Sequence, residues 1–278
     1  MRGFLILDRR DHGTPTPLLQ EVMALLAERG IRIDWAIAEE IATPADQPRP
    51  DHDFYLLKSY TDLGLSFAAV LHEQGARILN PYPACAALRD KVSTAWRLRA
   101  AGLPTPRTWS TGDPALLADR LREGSLIFKP ARGVHGAGVR VVRDEGELAR
   151  FRDELKERSR LRAPLVAQEL VEGGREDLKL YVCGAQVFGV RKAFSETSFH
   201  EDGRPCDVSP ELVELAHRCG RAFGLTLYGL DLIEGPDGPV IVDVNYFPGY
   251  RGVPGAAPRV ADEIERFARS PREAGPAP

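Results

Sequence analysis

The sequence lacks the features that would mark it as a membrane, secreted or nucleic-acid-binding protein. No apolar run approaches the roughly 18 residues that a spanning helix needs, and the apolar run near the start is too short for a signal peptide. The four cysteines show neither zinc-site nor disulfide-framework spacing, which favours reduced thiols in a cytoplasmic protein. Neither end carries a basic block and the net charge is −3, so neither nucleic acid nor a membrane is an expected partner.

What is present is typical of an ordinary globular protein. Of the 278 residues, 43% are hydrophobic and 28% are charged, enough to bury a substantial core. The first 80 or so residues read as alternating strands and helices, an order that predicts a small parallel sheet. Predicted strands cover residues 4–7, 31–37, 54–57, 76–79, 125–129, 139–142, 165–170 and 178–190, the last a hairpin turning at Gly184. Predicted helices cover residues 17–29, 65–74, 90–101, 114–122, 145–158, 210–223 and 260–269.

The most informative stretch spans residues 228–250. Two apolar, β-branched runs flank a Gly/Pro/Asp cluster, which predicts an antiparallel hairpin turning near Pro236. Folding about that turn brings Asp231 close to Asp243, and Asn245 shares a face with Asp243 because it lies two residues further along the strand. Oxygen ligands that converge in an apolar setting suit Mg²⁺ better than zinc. The alternative is that Asp243 and Asn245 merely end a strand and open a turn.

Upstream signals are weaker when each is taken alone. The glycine-rich loop at residues 133–138 follows Lys129 and lies between two predicted strands, so fingerprints that open a helix do not apply. Bare loop amides suit phosphate oxygens, although a plain hairpin turn gives the same pattern. The strand end at Glu169 is compatible with backbone contacts to an adenine edge. Asp177 and Lys179 are compatible with an ordinary ion pair between strands.

The order of these signals resembles the ATP-grasp superfamily over residues 90–253. The matching motifs are Asp-Lys91 before a helix and Gly-Leu-Pro-Thr-Pro, Phe-Lys129-Pro before the glycine loop, Gln-Glu169-Leu-Val, Asp177-Leu-Lys179, Asp231, and Asp243-Val-Asn245. The resemblance implies an α/β (α+β) protein with an ATP-grasp fold and an N-terminal Rossmann-like α/β domain. The expected divisions are the N-terminal domain at 1–85, a central subdomain with the glycine-rich lid at 86–168, a C-terminal subdomain with the metal site at 169–268, and a disordered tail at 269–278.

The resemblance also implies ATP and Mg²⁺ as cofactors and assigns site residues. Nucleotide-binding roles fall on Lys91, Lys129, Gly136, Gly138, Glu169, Leu170, Val171, Asp177 and Lys179. Metal-binding roles fall on Asp231, Asp243 and Asn245, and catalytic roles on Lys129, His135, Arg191 and Asn245. The loop at 133–138 is expected to close over the phosphates as a lid. These roles are physically coherent because phosphoryl transfer depends mainly on positioning and charge neutralisation.

Two branches of the superfamily share motifs with this chain. RimK-type amino-acid ligases, which form an amide bond through an acyl phosphate, share the Asp-Lys-x-x-Thr helix start and the Tyr-Gly-Leu-Asp-Leu-Ile strand. They usually carry Glu where this chain has Asp243, and they carry an Asn and an Arg-Gly-Gly segment that this chain lacks. Inositol polyphosphate kinases share the Asp-x-Asn strand and the aromatic-Pro-Gly-Tyr run after it. Substrate-binding roles are expected at Lys58, His135, Arg191, Lys192 and Arg251.

We therefore expect an ATP-dependent carboxylate-amine ligase, with an inositol phosphate kinase as the alternative. A non-catalytic ATP-binding module is a third possibility, disfavoured because all three metal positions keep oxygen ligands. The expected partner is a small-molecule acceptor, either a carboxylate with an amine or an inositol phosphate. A peptide acceptor and a homo-oligomer are both compatible with the sequence.

Overall fold

Three sheets occupy successive stretches of the chain. The computed structural model describes residues 1–9, 13–44, 49–132, 138–158, 163–173, 176–193 and 203–271. The first sheet is parallel, and the second and third are antiparallel. Within these ranges no helix is both long and apolar enough to cross a membrane. The predicted domain limits stay predictions.

The first sheet has the strand order β2-β1-β3-β4. Its strands are β1 (Arg2–Leu7), β2 (Arg32–Ile37), β3 (Phe54–Leu57) and β4 (Ile78–Leu79), and its helices are α1 (Pro17–Glu28), α2 (Asp62–Glu73) and α3 (Tyr82–Arg89). All four residues of β3 are buried, as expected of a parallel strand with both faces covered. The loops that follow β1 and β3 lie at the carboxyl edge of the sheet, where ligands bind in open α/β sheets.

The second sheet has the order β5-β8-β6-β7 and its own small core. Its strands are β5 (Thr108–Thr111), β6 (Leu126–Pro130), β7 (Arg140–Val142) and β8 (Leu165–Glu169). Helix α4 (Lys91–Ala100) precedes it, a 3₁₀ helix covers Pro114–Arg122, and α5 (Glu145–Glu157) packs on it. The rings of Phe128 and Phe151, with centroids 5.3 Å apart, join the sheet to α5.

The third sheet has the order β11-β10-β9-β12-β13. Its strands are β9 (Glu176–Cys183), β10 (Gln186–Ala193), β11 (Arg204–Cys206), β12 (Leu227–Gly235) and β13 (Gly238–Tyr246), and its helices are α6 (Pro210–Phe223) and α7 (Ala256–Arg269). The hairpins predicted to turn at Gly184 and near Pro236 both form. The hydroxyl of Tyr228 donates to the Ala216 carbonyl at 2.7 Å, which fixes α6 against one face of the sheet.

The first and third sheets share one continuous core, and a buried amide joins them. The Asn80 side chain, fully buried after β4, donates from Nδ2 to the Leu227 carbonyl at 2.6 Å. Its Oδ1 accepts from the backbone amides of Thr226 at 2.9 Å and Leu227 at 3.1 Å. A second link joins helices α1 and α7: Arg29 pairs with Asp262 at 2.7 Å and with Glu265 at 3.0 Å. The start of β12 is thus fixed relative to the first sheet.

Candidate active site

Two carboxylates face each other across the β12–β13 hairpin. The register places Asp231 opposite Asp243, and the register of the next strand places Lys179 opposite Asp231. Paired residues on neighbouring strands share a face of the sheet, and so does Asn245, two residues beyond Asp243. The structure therefore brings together the three side chains predicted to hold Mg²⁺. That they bind the ion stays a prediction.

Three lysines surround these carboxylates. Lys91 Nζ, at the start of α4, lies 3.3 and 3.2 Å from the two carboxylate oxygens of Asp243. Lys179 Nζ lies 2.6 Å from Asp231 Oδ1. Lys129, on β6 of the second sheet, donates to Gln168 Oε1 at 2.7 Å. Because like charges directly opposite each other in a sheet are destabilising, the lysines offset the repulsion between the two aspartates.

Burial and neighbouring charges act on the lysines in different proportions. Burial lowers the pKa of Lys129; the charge of Asp243 opposes this shift, and the charge of Lys91 reinforces it. Burial also acts to lower the pKa of Lys179, but the charge of Asp231 and its hydrogen bond outweigh burial and raise the pKa. Among the described residues no carboxylate accepts a hydrogen bond from Lys129, and an incoming phosphate would favour its charged form.

Asp177 and Lys192 continue the same face of the third sheet. They are register partners on β9 and β10, and Lys192 is buried. Burial, followed by the charge of Asp231, raises the pKa of Asp177 to about 6. The ion pair that the sequence suggested between Asp177 and Lys179 does not form. The two lie on the same strand, and Lys179 pairs with Asp231 instead.

Arg191 lies on the opposite face. Its register partner is Leu178, and its Nη1 and Nη2 donate to the two carboxylate oxygens of Glu234 at 2.6 and 3.1 Å. Successive side chains of a strand point to opposite faces, so Arg191 and Lys192 cannot both face the aspartates. The structure does not bring the predicted catalytic Arg191 to the Asp231 side of the sheet, and Lys192 occupies the corresponding place there.

The strand end beyond Asn245 is held by the loop after β3. Lys58 Nζ donates to the Phe247 carbonyl at 3.3 Å and lies 5.7 Å from the centroid of that ring. The Tyr60 hydroxyl donates to the Tyr246 carbonyl, and the two tyrosine rings stack with centroids 4.1 Å apart. The predicted substrate residue Lys58 therefore lies beside the metal-ligand strand.

The turn after β13 is strained. Phe247 and Tyr250 adopt positive φ angles of 39° and 49°, which aromatic residues rarely do. Arg251, also predicted to bind substrate, is exposed in this turn. Gly252 follows at φ +79°, where a Cβ would come within 2.5 Å of the Gly203 carbonyl oxygen, so only glycine fits there.

The predicted adenine hinge follows β8. Arg107 holds the Glu169 carboxylate through its Nε at 2.5 Å and its backbone amide at 3.2 Å. The Leu170 amide donates to the Ser125 carbonyl at 2.9 Å. The Glu169 amide likewise donates to the Arg107 carbonyl at 3.1 Å, so an adenine at this segment would not find the amides of Glu169 and Leu170 free.

The glycine-rich loop is described only at its end. His135 and Gly136, with the rest of 133–137, lie outside the described residues, so the predicted lid stays a prediction. Gly138 has φ +77°, a backbone conformation that favours glycine.

The donor set of the hairpin fits magnesium that arrives with a nucleotide. Among the described residues, no group of three or more His, Cys, Asp or Glu is placed to hold a metal. Mg²⁺ usually takes one or two protein carboxylates and completes its shell with substrate phosphates and water. Asp231, Asp243 and the Asn245 amide oxygen suit that requirement, and they do not suit a zinc site of nitrogen and sulfur ligands.

Comparison with known proteins identifies the family. A family model described as an ATP-grasp domain matches residues 88–248, more than half of the chain. The chain belongs to the ATP-grasp family. The predicted fold class and the predicted superfamily are confirmed.

Curated relatives of this ATP-grasp chain are named as ligases. The probable alpha-L-glutamate ligase of Chromohalobacter salexigens is 26% identical over 236 residues, which cover 79% of this chain and 77% of the relative. The protein of the same name from Legionella pneumophila is 26% identical over 227 residues, covering 76% and 74%. The ligase branch of the prediction is confirmed, and the inositol phosphate kinase alternative is not supported.

Solved ATP-grasp structures share the fold at low identity. The RimK domain ATP-grasp protein of Sphaerobacter thermophilus has a TM-score of 0.75 at 19% identity and covers 97% of this chain and 100% of its own. The ATP-grasp ligase PsnB, in complex with a minimal precursor, Mg and ADP, has a TM-score of 0.68 at 21% identity and covers 96% and 97%. ATP-grasp ligases in general use ATP and Mg²⁺.

Proposed function

We propose that this ATP-grasp chain uses Mg-ATP to join a carboxylate of an amino acid or peptide to an amine. The supporting observation is the pair of facing aspartates, each with its own lysine, on the sheet face where Lys192 also lies. These partly buried carboxylates and ammonium groups neutralise one another, so a cation can bind the aspartates and a polyanion the lysines without leaving a buried charge unpaired.

In this proposal Asp231, Asp243 and Asn245 hold the metal, which when bound neutralises phosphate charge. Lys91 leaves Asp243 and, with Lys129, contacts the phosphates. The backbone of Glu169 and Val171 holds the adenine, and Asp177 lies near the ribose. Each lysine thereby exchanges a protein partner for a phosphate oxygen, which keeps the site electrically balanced throughout.

The chemistry proceeds in two displacements. A carboxylate oxygen of the acceptor attacks the γ-phosphorus of ATP, and ADP leaves. The amine nitrogen then attacks the acyl carbon, inorganic phosphate leaves, and the nitrogen loses a proton. Lys192, a buried cation on the site face, is proposed to neutralise the acceptor carboxylate and the oxygen that gains charge in the second step. The names of the relatives and the complex of PsnB with a precursor peptide support a carboxylate of an amino acid or peptide as acceptor.

Hydroxylamine trapping tests the proposal. With Mg-ATP, a pool of amino acids and short peptides, and hydroxylamine as the amine, we expect a hydroxamate and an equal amount of ADP. The Asp243→Ala variant is the matched control and should form neither product. ADP release with transfer of phosphate to a hydroxyl group, and no hydroxamate, would contradict the proposal.

A further inference from the structure

A second cleft lies between α2 and α3 of the N-terminal unit, with a volume of about 240 Å³. None of its lining residues belongs to the site described above. They include Asp62, Ser66 and Ala69 of α2, Ala86 and Arg89 of α3, and Arg132 after β6. Ligand pockets commonly measure about 300–1,000 Å³, so this cleft suits one small group or side chain, not a whole nucleotide.

Arg89 lines this cleft and lacks a partner. Its Nε and Nη1 atoms are buried, and no acceptor in the described part of the chain lies within hydrogen-bond distance of them. The last carbonyls of α3 supply partial negative charge, but none of them lies within hydrogen-bond distance of Arg89 Nε or Nη1. A buried guanidinium without an acceptor is destabilising, which indicates a ligand group that the described residues do not supply.

The charge and geometry of the cleft indicate which acceptor. Arg89 and Arg132 line the cleft together with one carboxylate, that of Asp62. Arg132 Nε also lies 3.9 Å from Asp90 Oδ2, an ion pair too long for a hydrogen bond. A guanidinium binds carboxylates and phosphates best because its parallel N–H groups match two oxygens. The cleft therefore suits a group with two anionic oxygens, such as a carboxylate.

The cleft also adjoins the proposed phosphate-binding residues. The Lys91 amide donates to the Ala131 carbonyl at 2.9 Å. The chain just after Arg89 therefore lies next to the chain just before Arg132. Lys91 and Lys129 lie within two residues of this contact. The cleft therefore lies beside the backbone segments that carry Lys91 and Lys129.

We propose that the α2–α3 cleft binds a carboxylate of the acceptor other than the one that reacts. The acceptor would then carry at least two carboxylates, as a free amino dicarboxylic acid or an acidic peptide does. That the bound molecule is the acceptor rests on the proposed function. Binding of a carboxylate in the cleft is measurable without ATP.

Calorimetric titration tests the inference with three probes and no nucleotide. The probes are tri-glutamate, tri-glutamine with an amidated carboxyl terminus, and free glutamate. We expect tri-glutamate or free glutamate to bind at least about tenfold more tightly than tri-glutamine, and Arg89→Met and Arg132→Met each to remove about tenfold of that affinity, the usual contribution of a charged hydrogen bond. Arg99→Met, which removes an exposed arginine of α4, is the matched control and should bind as the wild type does.

Thermal unfolding separates binding from folding. Because Arg89 has no acceptor, Arg89→Met should unfold at the same temperature as the wild type or higher, while losing affinity. Binding by tri-glutamate alone assigns the site to a peptide, and binding by free glutamate alone assigns it to the amino acid. Equal affinity of wild type and Arg89→Met, or no preference for glutamate over glutamine, would overturn the inference. If the wild type binds glutamate in an Arg89-dependent way but forms no hydroxamate, only the proposed function is overturned.

Discussion

The two faces of the third sheet carry ion pairs of different character. On one face, Asp231 and Asp243 lie opposite each other, and the side chains of Lys179 and Asp231 are only 15% and 24% exposed. On the other, Arg191 and Glu234 form one bidentate pair, with Glu234 44% exposed. The second pair is complete in itself, whereas the first face places like charges side by side. Crowded like charges, more than the number of ion pairs, distinguish a ligand site from a solvated surface.

Removing one aspartate should give the largest contrast between the faces. We expect Asp243→Ala to lower kcat/KM by at least about a thousandfold, because it removes a proposed metal ligand. Glu234→Ala should stay within about twofold of wild type. The rate of ADP release is measured for both variants, and their unfolding temperatures show whether each is folded. Similar losses in both variants would remove the distinction.

Replacing Lys129 should have the second largest effect on the rate of catalysis. We expect Lys129→Met to lower kcat by roughly a hundredfold, since the side chain would no longer contact phosphate charge. Lys156→Met, on the exposed face of α5, is the control. A raised KM for ATP with unchanged kcat would mean that Lys129 helps binding alone and not the transition state.

Adjacent residues of β10 give a sharper test of the two faces. We expect Lys192→Met to lower kcat/KM roughly tenfold to a hundredfold, and Arg191→Met to change it by less than about twofold. The assay is hydroxamate formation at saturating ATP. If Arg191→Met is the more damaged variant, the catalytic role predicted for Arg191 from the sequence is right and the assignment to Lys192 is wrong.

The smallest expected effect concerns stability and pH. The pKa of Asp177 is raised from 3.8 to about 6, mainly by burial, so ionising it destabilises the folded state as pH rises through 6. Asp177→Asn should therefore increase the free energy of unfolding at pH 8 by roughly 1 kcal/mol, after allowing for solvent around this half-buried group.

Below about pH 4 the gain should vanish, because the carboxyl is then protonated in both states. Denaturant unfolding at several pH values measures it. Asp119→Asn, on the exposed face of the 3₁₀ helix, is the control and should show no such trend. A gain in Asp177→Asn that does not depend on pH would show that burial of the charge is not the cause.

Much of this arrangement follows from local pattern. The two hairpins were predictable because turn residues separate runs of β-branched residues, and the period of two then fixed which face Asp231, Asp243 and Asn245 share. The same rule, applied to Arg191 and Lys192, requires that they face opposite ways. The register between β9 and β10 decides whether Arg191 or Lys192 lies on the side of the aspartates. A single turn residue at Gly184 does not specify that register.

Other features have no local signal. Helix α3 was not predicted, because the prolines in its first turn also suit an exit loop. The contact between Lys91 and Asp243 joins residues 152 positions apart, and only tertiary packing, which brings the start of α4 beside β13, creates it. The cleft beside Arg89 likewise requires two helices and a strand end to meet.

The Asn80 amide has a practical consequence for dissecting the protein. The family match begins at residue 88, yet Asn80 satisfies the backbone where β12, the strand of Asp231, begins. Helix α7, which packs on α1, also lies beyond the match, which ends at 248. A fragment trimmed to the matched residues would leave the amides of Thr226 and Leu227 without their Asn80 acceptor. It would also expose the core surface that the first sheet and α7 cover. The shortest chain that folds is therefore longer than the shortest chain that can be recognised.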